Sequence, residues 1–301
     1  MTQSIKSIQV EVQSMADFKA SLLSTKVVNN VDLDTVRGFT ANGLGHVSGS
    51  YLQTEKHAVV SERFQVIQPA AIGAALALKG FELVSSMTGK AKHEDKRDFQ
   101  TTTTRYRSKD LFQIEGLNLD IIHRSKHLGR GQDEIRIGFF RGACANQWAM
   151  GQLFNILKFR HTGDALDNVS QGLDGLIMQR DQLVKSIELM QNTPVSVPMA
   201  LELAKRFAAL RLEGMDNVLE VDFKRLLKVR RSDDQKTDLF TVSNVVQENI
   251  TRIGLGYTVK SIDAVGRTSV RSMTTRAIPD NSGRLVDLTG TMFDAAMQFV
   301  A

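Results

Sequence analysis

An α+β fold is predicted for this chain, with an antiparallel sheet from the N-terminal half packed against helices mainly from the C-terminal half. Two observations support this prediction. Between residues 81 and 141, short segments rich in β-branched and aromatic residues alternate apolar with polar side chains, as half-buried strands do. After residue 162, apolar residues recur at helical spacing in segments that glycine or proline ends.

The strands of the predicted sheet follow one another closely, which indicates an antiparallel meander. Ile135, Ile137 and Phe139 alternate with other side chains in the clearest of them. A basic insert at 89–97 is expected to be an exposed hairpin tip. The predicted strands are 5–12, 81–87, 99–107, 117–122 and 135–140.

Helices are predicted both before and after the strands of this sheet in the chain. Pro69 is tolerated in a first helical turn and Gly80 ends the segment that it begins. Asn146 is a candidate N-cap for a helix that carries Trp148 and Phe159. Residues 257–287 are expected to be irregular and basic. The predicted helices are 14–24, 70–79, 146–161, 167–191, 199–213, 218–229, 237–253 and 291–300.

The composition fits one globular α+β domain over residues 1–301, with a basic, sheet-rich part at 1–161 and a helical part at 162–301. The chain has 301 residues, 42% of them hydrophobic, which is enough for a sizeable core. No apolar run has the length of a membrane span, and the first residues do not resemble a signal peptide. We therefore expect a protein of the cytoplasm that makes no membrane contact.

Positive charge is concentrated in the first half of the chain. Residues 1–161 contain 21 lysines and arginines against 15 acidic residues, a net charge of +6. Residues 162–301 contain 17 against 18, a net charge of −1. A positive block beside a neutral one predicts a surface that binds a polyanion, with a solvated basic surface as the alternative.

The sequence contains few signs of catalysis, so no enzyme activity, cofactor or metal is predicted. It has no phosphate-binding Gly-x-x-x-x-Gly-Lys-Ser/Thr loop and no paired carboxylates of a two-metal nuclease. His123 and His127 are four residues apart, but their surroundings favour strand and loop, and no third ligand is evident. Cys144 lies between alanines and is interpreted as a small buried hydrophobe, with a nucleophile as the alternative.

Arginines and lysines interleaved with aromatic residues are the main evidence for function. Single strands are bound by cations along the backbone and by aromatic faces that stack on bases. Tyr106 and Trp148 are the predicted stacking residues, and a core position is the alternative for Trp148, Phe139 and Phe159. Alternation in a strand places Arg105 and Arg107 on one face and Tyr106 on the other. The predicted phosphate contacts are Arg97, Arg105, Arg107, Arg124, Lys126, Arg130, Arg136, Arg141, Lys158 and Arg160.

Four short elements resemble a family of unknown function found in many prophages and plasmids. That family shows Ser-Glu-Arg-Tyr, Arg-x-x-Cys-x-Asn and Arg-His-Thr elements in this order, followed by a Tyr-Asn-x-x-Thr-Glu helix. The similar segments here are Ser61–Phe64 with the following Pro69, Gly138–Asn146, Phe159–Gly163 and Ser243–Glu248, and the likeness covers about residues 43–300. Phe64 replaces the family's tyrosine, and Ser243 departs from the pattern.

The resemblance implies a non-enzymatic protein of phage DNA metabolism, similar to Drc-type single-stranded-DNA-binding proteins and to single-strand annealing proteins. We expect a sequence-tolerant single-stranded-DNA-binding protein that acts in phage replication, recombination or transcription. The expected setting is the host cytoplasm, with a homo-oligomer such as a tetramer or ring and with phage RNA polymerase or replication proteins as candidate partners. The alternatives are an annealing recombinase and a protein-binding inhibitor of host defence.

Overall fold

The computed structural model describes residues 31–38, 40–41, 47–109, 114, 116–129, 131–142, 146–163, 165–262, 268–280 and 282–300. The predicted strand at 5–12, the predicted helix at 14–24, Arg130 and Cys144 lie outside these ranges. Among the described residues, no helix combines the length and the apolarity needed to cross a bilayer.

A six-stranded antiparallel sheet forms the centre of the fold, and it confirms the predicted meander. Strands β1 to β4 pair in chain order, while β5 and β6 pair with opposite ends of the free edge of β4. The strands are β1 Phe81–Thr88, β2 Thr102–Ser108, β3 Leu117–Ser125, β4 Asp133–Arg141, β5 Asn146–Ala149 and β6 Leu157–Phe159.

Helices come mainly from the second half of the chain, which confirms the α+β prediction. Several helices pack against this sheet: Pro69–Leu78 (α3) contacts β1, Ala165–Ile177 (α4) contacts β6 and Gly283–Met297 (α9) contacts β5. The helices are α1 Leu33–Gly38, α2 Gly49–Leu52, α3 Pro69–Leu78, α4 Ala165–Ile177, α5 Arg180–Gln191, α6 Val197–Arg211, α7 Phe223–Leu226, α8 Leu239–Glu248 and α9 Gly283–Met297. The predicted helix at 167–191 is therefore two helices, and the last helix begins earlier than predicted.

The predicted helix at 146–161 is wrong, because this segment contains β5 and β6 instead. Trp148 pairs with Phe139 of β4, and their rings lie 6.0 Å apart between centroids. At Gly138 of β4, a Cβ atom would lie 2.2 Å from the carbonyl oxygen of Trp148. The small residue thus permits β5 to approach β4 closely, a requirement that helical spacing in the sequence does not reveal.

A second antiparallel sheet lies in the half of the chain that was predicted to be helical. It has the order β7–β8–β9, with β7 at Val218–Val221, β8 at Gly256–Ile262 and β9 at Thr268–Thr274. The helix predicted at 218–229 is thus a short strand followed by the single turn α7. The segment expected to be irregular at 257–287 contains two strands and the beginning of α9.

The two faces of the large sheet have different chemistry. Tyr106, Ile121 and Ile137 are opposite one another on β2, β3 and β4, and all three are buried in the apolar core. The other face carries charged residues, because alternate residues of a strand point to opposite sides. Its members include Arg105, Arg107, Asp120, Arg124, Glu134 and Arg136.

Candidate functional site

Two of the family-like elements, Ser61–Phe64 and Arg160–Thr162, are about 100 residues apart in the chain but meet beside β6. His161 follows β6, and its main-chain oxygen accepts a 2.7 Å hydrogen bond from Gln65 N. The Phe64 ring stacks on the His161 ring at 4.4 Å between centroids and 14° between planes. His161 Nδ1 lies 3.1 Å from Gln65 O and its Nε2 lies 2.9 Å from Asp133 Oδ1. Both partner atoms are oxygen acceptors, so each ring nitrogen of His161 lies at hydrogen-bonding distance from an acceptor.

Asp133 is the centre of a buried cluster behind this stacked pair. Its side chain is fully buried and accepts hydrogen bonds from Lys126 N at 2.7 Å and from His161. His123 Nε2 lies 3.4 Å from the second carboxylate oxygen. Burial by itself raises the pKa of the Asp133 carboxyl, but the hydrogen bonds from His123 and His161 outweigh it and hold that pKa well below its usual range.

His127 completes the histidine cluster. Its Nε2 lies 3.2 Å from Ser125 Oγ, and its ring centroid is 6.4 Å from that of His161. Burial lowers the pKa of the His127 imidazole to about 4, although the charge of Asp133 opposes this shift. Within the described parts of the chain, no three side chains of the metal-binding types are arranged to share an ion.

An open cavity of about 480 Å³, here named the Phe64 cavity, lies against the stacked pair. Gly129 has a φ angle of +67°, and a Cβ atom there would lie 3.2 Å from the Val60 side chain. The loop after β3 can therefore approach the segment before α3. The lining residues are Val59, Val60, Ser61, Phe64, Leu128, Gly129, Gly131, Gln132, Arg160, His161 and Thr162.

The edge of the Phe64 cavity is cationic. Arg160 is exposed and lines the cavity. The Lys126 ammonium packs on Gly131, where a Cβ atom would lie 3.2 Å from Nζ. Exposed Arg63 precedes Phe64, and exposed Lys158 lies two residues before Arg160. Glu62, next to Arg63, is also exposed and pairs with Lys56 at 2.6 Å, whereas Asp133 is buried and hydrogen-bonded. The charged side chains that line or touch the cavity itself, Arg160 and Lys126, are cations.

Four predicted phosphate contacts lie together on the charged face of the sheet, but carboxylates compensate them. Asp120 pairs with Arg105 at 3.3 Å and with Arg107 at 3.0 Å. Arg124 and Arg136 are both within 3.4 Å of Glu134 and of Asp287. These arginine side chains are between 11% and 24% exposed. The expected open, electropositive sheet face is therefore a mostly covered network of ion pairs.

Both predicted stacking residues are in the core, which corrects their assignment. Tyr106 is fully buried, and its hydroxyl lies 2.9 Å from that of Tyr51. Trp148 is 1% exposed and packs on Phe139 and Phe293. Neither ring can stack on a base while the core remains folded. The alternative of a core position is therefore correct for Trp148, as it is for Phe139 and Phe159.

The remaining predicted cations have mixed environments. Arg141 is largely covered and pairs with Asp234 at 2.5 Å. Arg97 is 71% exposed, on the insert between β1 and β2, and pairs with Glu94 at 2.9 Å. Arg160 lines the Phe64 cavity and Lys126 packs on Gly131 of its lining, whereas exposed Lys158 is opposite Glu134 in the β4–β6 pairing.

The other two family-like elements, Arg141–Asn146 and Ser243–Glu248, meet at the opposite end of β4 from the Phe64 cavity. Because β4 has nine residues, its two ends are roughly 26 Å apart. Asn146 Nδ2 donates to Asn244 O at 3.1 Å, and Trp148 Nε1 donates to Asn244 Oδ1 at 3.0 Å. Ion pairs link Arg141 through Asp234 and Arg231 to Glu248. These contacts join β4 and β5 to α8.

Replacing Asn244 with alanine is expected to destabilise the protein without affecting binding at the Phe64 cavity. The buried Trp148 indole would lose its acceptor, and an unsatisfied buried donor costs about 2 kcal/mol. Urea unfolding followed by tryptophan fluorescence measures this loss, since Trp148 is the single tryptophan. An unchanged unfolding midpoint would show that the indole finds another acceptor.

The sequence did not indicate the central residues of the Phe64 cavity and the histidine cluster behind it. Asp133 and the apolar lining residues Val59, Val60 and Leu128 were not predicted, because no local pattern marks them. The Ser61–Phe64 and Arg160–Thr162 segments were the available signal, since both resembled elements of one family. Their meeting beside Asp133 appears only in the folded chain.

The fold and site define an α+β protein with a cation-edged apolar cavity next to a buried histidine–aspartate cluster. The chain belongs to the family described as domain of unknown function DUF932, whose model matches residues 56–283. This confirms the expected membership of a family of unknown function.

Two Escherichia coli K12 proteins are similar to this chain. The UPF0380 protein YfjQ is 27% identical over 239 residues, which cover 79% of this chain and 85% of YfjQ. The UPF0380 protein YafZ is 27% identical over 220 residues, which cover 73% of this chain and 79% of YafZ. No solved structure matches the chain.

Proposed function

We propose that this protein binds single-stranded DNA without strong sequence preference, and that the Phe64 cavity accepts one unstacked base. The observation that carries the proposal is the convergence of two distant sequence elements on one apolar cavity edged by Arg160 and Lys126. Tyr106 and Trp148 have no place in this interface, because both are buried.

The cavity suits a flat, partly apolar group such as a base. Its volume of about 480 Å³ lies within the range of small-molecule sites. The Phe64 ring is half-buried and stacked on His161, so its orientation is defined before a ligand enters. Stacking of a base on an aromatic ring contributes about 1–3 kcal/mol and tolerates every base.

The insert between β1 and β2 would continue the interface beyond the cavity. His57 connects the two regions, because it contacts the Phe99 ring at 4.9 Å and Asp95 at 3.4 Å. Its own segment continues to Val59 and Val60 of the cavity. The exposed cations of these segments are Arg160, Arg63, Lys90, Lys92 and Arg97, and the exposed carboxylates among them are Glu62, Glu94, Asp95 and Asp98.

The setting that we propose is phage replication, recombination or transcription in the host cytoplasm, in a non-catalytic role. The similarity of four elements to a family of prophages and plasmids supports this part of the proposal. Self-association and contact with phage polymerase or replication proteins belong to the same proposal. An assay of complementary-strand annealing distinguishes simple binding from the annealing alternative.

Fluorescence anisotropy with labelled single strands tests the proposal, with duplex of the same sequence as the competitor. Arg160→Gln and Lys126→Gln are each expected to weaken binding by about threefold to tenfold, since each removes one phosphate contact. Each should also reduce the slope of log affinity against log salt by about 0.7. Phe64→Leu should weaken binding while leaving the salt slope unchanged, because it removes stacking but no charge.

Lys185→Gln is the matched control, because Lys185 is exposed on α5 and does not line the cavity. It should bind like the wild-type protein. Absence of binding in low salt, preference for duplex, or equal affinities of the cavity variants and the control would each refute the proposal.

A further inference from the structure

A second cavity, of about 430 Å³, collects arginines from three separate elements. Arg124 comes from β3, Arg211 from the end of α6 and Arg284 from the first turn of α9. We name this space the three-arginine cavity. It lies on the side of the sheet opposite the histidine cluster, because His123 and Arg124 are consecutive in β3 and point to opposite faces.

Arg211 is the most unusual residue of this cavity. It is only 7% exposed, and its Nη2 donates to the main-chain oxygen of Arg276 at 2.9 Å. Its Nε has no hydrogen-bond partner, and among the described residues no carboxylate forms an ion pair with it. Burial, and then the charge of Arg284, lower the pKa of the Arg211 guanidinium. A buried cation without a counter-charge is costly, so the cavity favours an anion.

Carboxylates compensate the charge of this cavity only in part, because the ion pairs with Glu134 and Asp287 involve Arg124 but not Arg211 or Arg284. Asp287 accepts from Arg124 at 2.9 Å and from Arg136 at 3.2 Å, so two arginines share it. Glu213 lines the cavity but forms no ion pair within the part of the chain that the structure describes. Within the described ranges, Arg211 and Arg284 thus form no ion pair with a carboxylate.

We infer that the three-arginine cavity binds a phosphate dianion, either free or as the terminal phosphate of a larger molecule. Guanidinium groups offer paired N–H donors that match the oxygens of phosphate, and three of them can contact one group from different directions. The fifteen-residue helix α9 begins with Gly283 against the Arg124 guanidinium, so an anion bound by Arg124 would also lie near the positive end of the helix dipole. This site is separate from the Phe64 cavity and does not depend on the proposed function.

Titration of the full-length protein with inorganic phosphate, in a buffer free of other oxyanions, tests this inference. Saturating phosphate is expected to raise the melting temperature by a few degrees, because it binds only the folded state. Isothermal titration calorimetry should show a single site. Arg211→Gln and Arg284→Gln should each lose most of the shift.

Two controls make the test specific. Arg206→Gln changes a half-buried arginine of the same helix α6 that contacts Glu202, Gln298 and Phe299 but does not line the cavity, and this variant should keep the full shift. Arg160→Gln at the Phe64 cavity should also keep it, so failure of one site does not imply failure of the other. No phosphate-dependent shift in the wild-type protein, or an undiminished shift in both cavity variants, would overturn the inference.

Oligonucleotides distinguish the two sources of the phosphate. A single strand with a 5′-phosphate is compared with the same strand carrying a 5′-hydroxyl, in the wild-type protein and in Arg211→Gln. Tighter binding of the phosphorylated strand, lost in the variant, identifies a nucleic-acid end as the ligand. Equal binding of both strands, together with a response to inorganic phosphate, identifies free phosphate or a small phosphate ester.

Discussion

Replacement of Asp133 by alanine is expected to lower the free energy of unfolding by about 3–5 kcal/mol, because it leaves three buried hydrogen-bonding groups without their partner. His161, His123 and the main-chain N–H of Lys126 would all lose an acceptor. The His161 ring would lose one of its two hydrogen bonds, which would also release the stacked Phe64. Urea unfolding at neutral pH measures the effect.

Asp133→Asn separates the charge from the shape, since the amide has nearly the same size but carries no charge. It should destabilise the protein less than alanine does and should still weaken single-strand binding at the Phe64 cavity. The exposed Asp216 provides a control, and Asp216→Ala should change stability by less than about 0.5 kcal/mol. A loss at Asp133 no larger than that of the control would contradict the role of the carboxylate.

Lowering the pH from 6.5 to about 4 is expected to remove about 3 kcal/mol of stability through His127 alone. The folded-state pKa of His127 is lowered to about 4 from 6.5. Between these values the unfolded chain binds a proton that the folded chain does not, so acid favours unfolding. The stabilising contribution is complete above pH 6.5 and is lost as the pH falls through this window.

His127→Gln isolates this contribution, because glutamine does not titrate. Unfolding free energies of both proteins are measured across the window, and their difference removes the common effect of the carboxylates. The wild-type protein should lose stability more steeply than the variant. Parallel pH profiles of the two proteins would show that folding does not lower the pKa of His127 and would refute this expectation.

The charge count in the sequence overestimated the basic surface because ion pairs form between distant parts of the chain. Arg124 and Arg136 are more than 150 residues from Asp287, which compensates both of them. Arg105 and Arg107 are compensated by Asp120 of the neighbouring strand. A sum over residues 1–161 includes Asp120 but not Asp287, and it cannot reveal which charges are in contact.

The segment from Asn146 to Phe159 shows the same limit for secondary structure. Its apolar residues match helical spacing, yet β5 and β6 are short strands separated by a loop. Strands of three or four residues have too few alternations to produce a clear period. Pairing with β4 decides the conformation, because hydrogen bonds and the packing of Trp148 on Phe139 become available only there.

The sequence by itself determined the α+β class, the meander β1 to β4, the helix after Pro69 and the place of the Tyr106 side chain opposite Arg105 and Arg107. These features follow from the spacing of apolar and polar residues that are close together in the sequence. Only the tertiary structure decided that Tyr106 is buried, which arginines are neutralised, and that Phe64 and His161 form one cavity. The reason is physical: burial and ion pairing depend on contacts between residues far apart in the chain, and no local pattern records them.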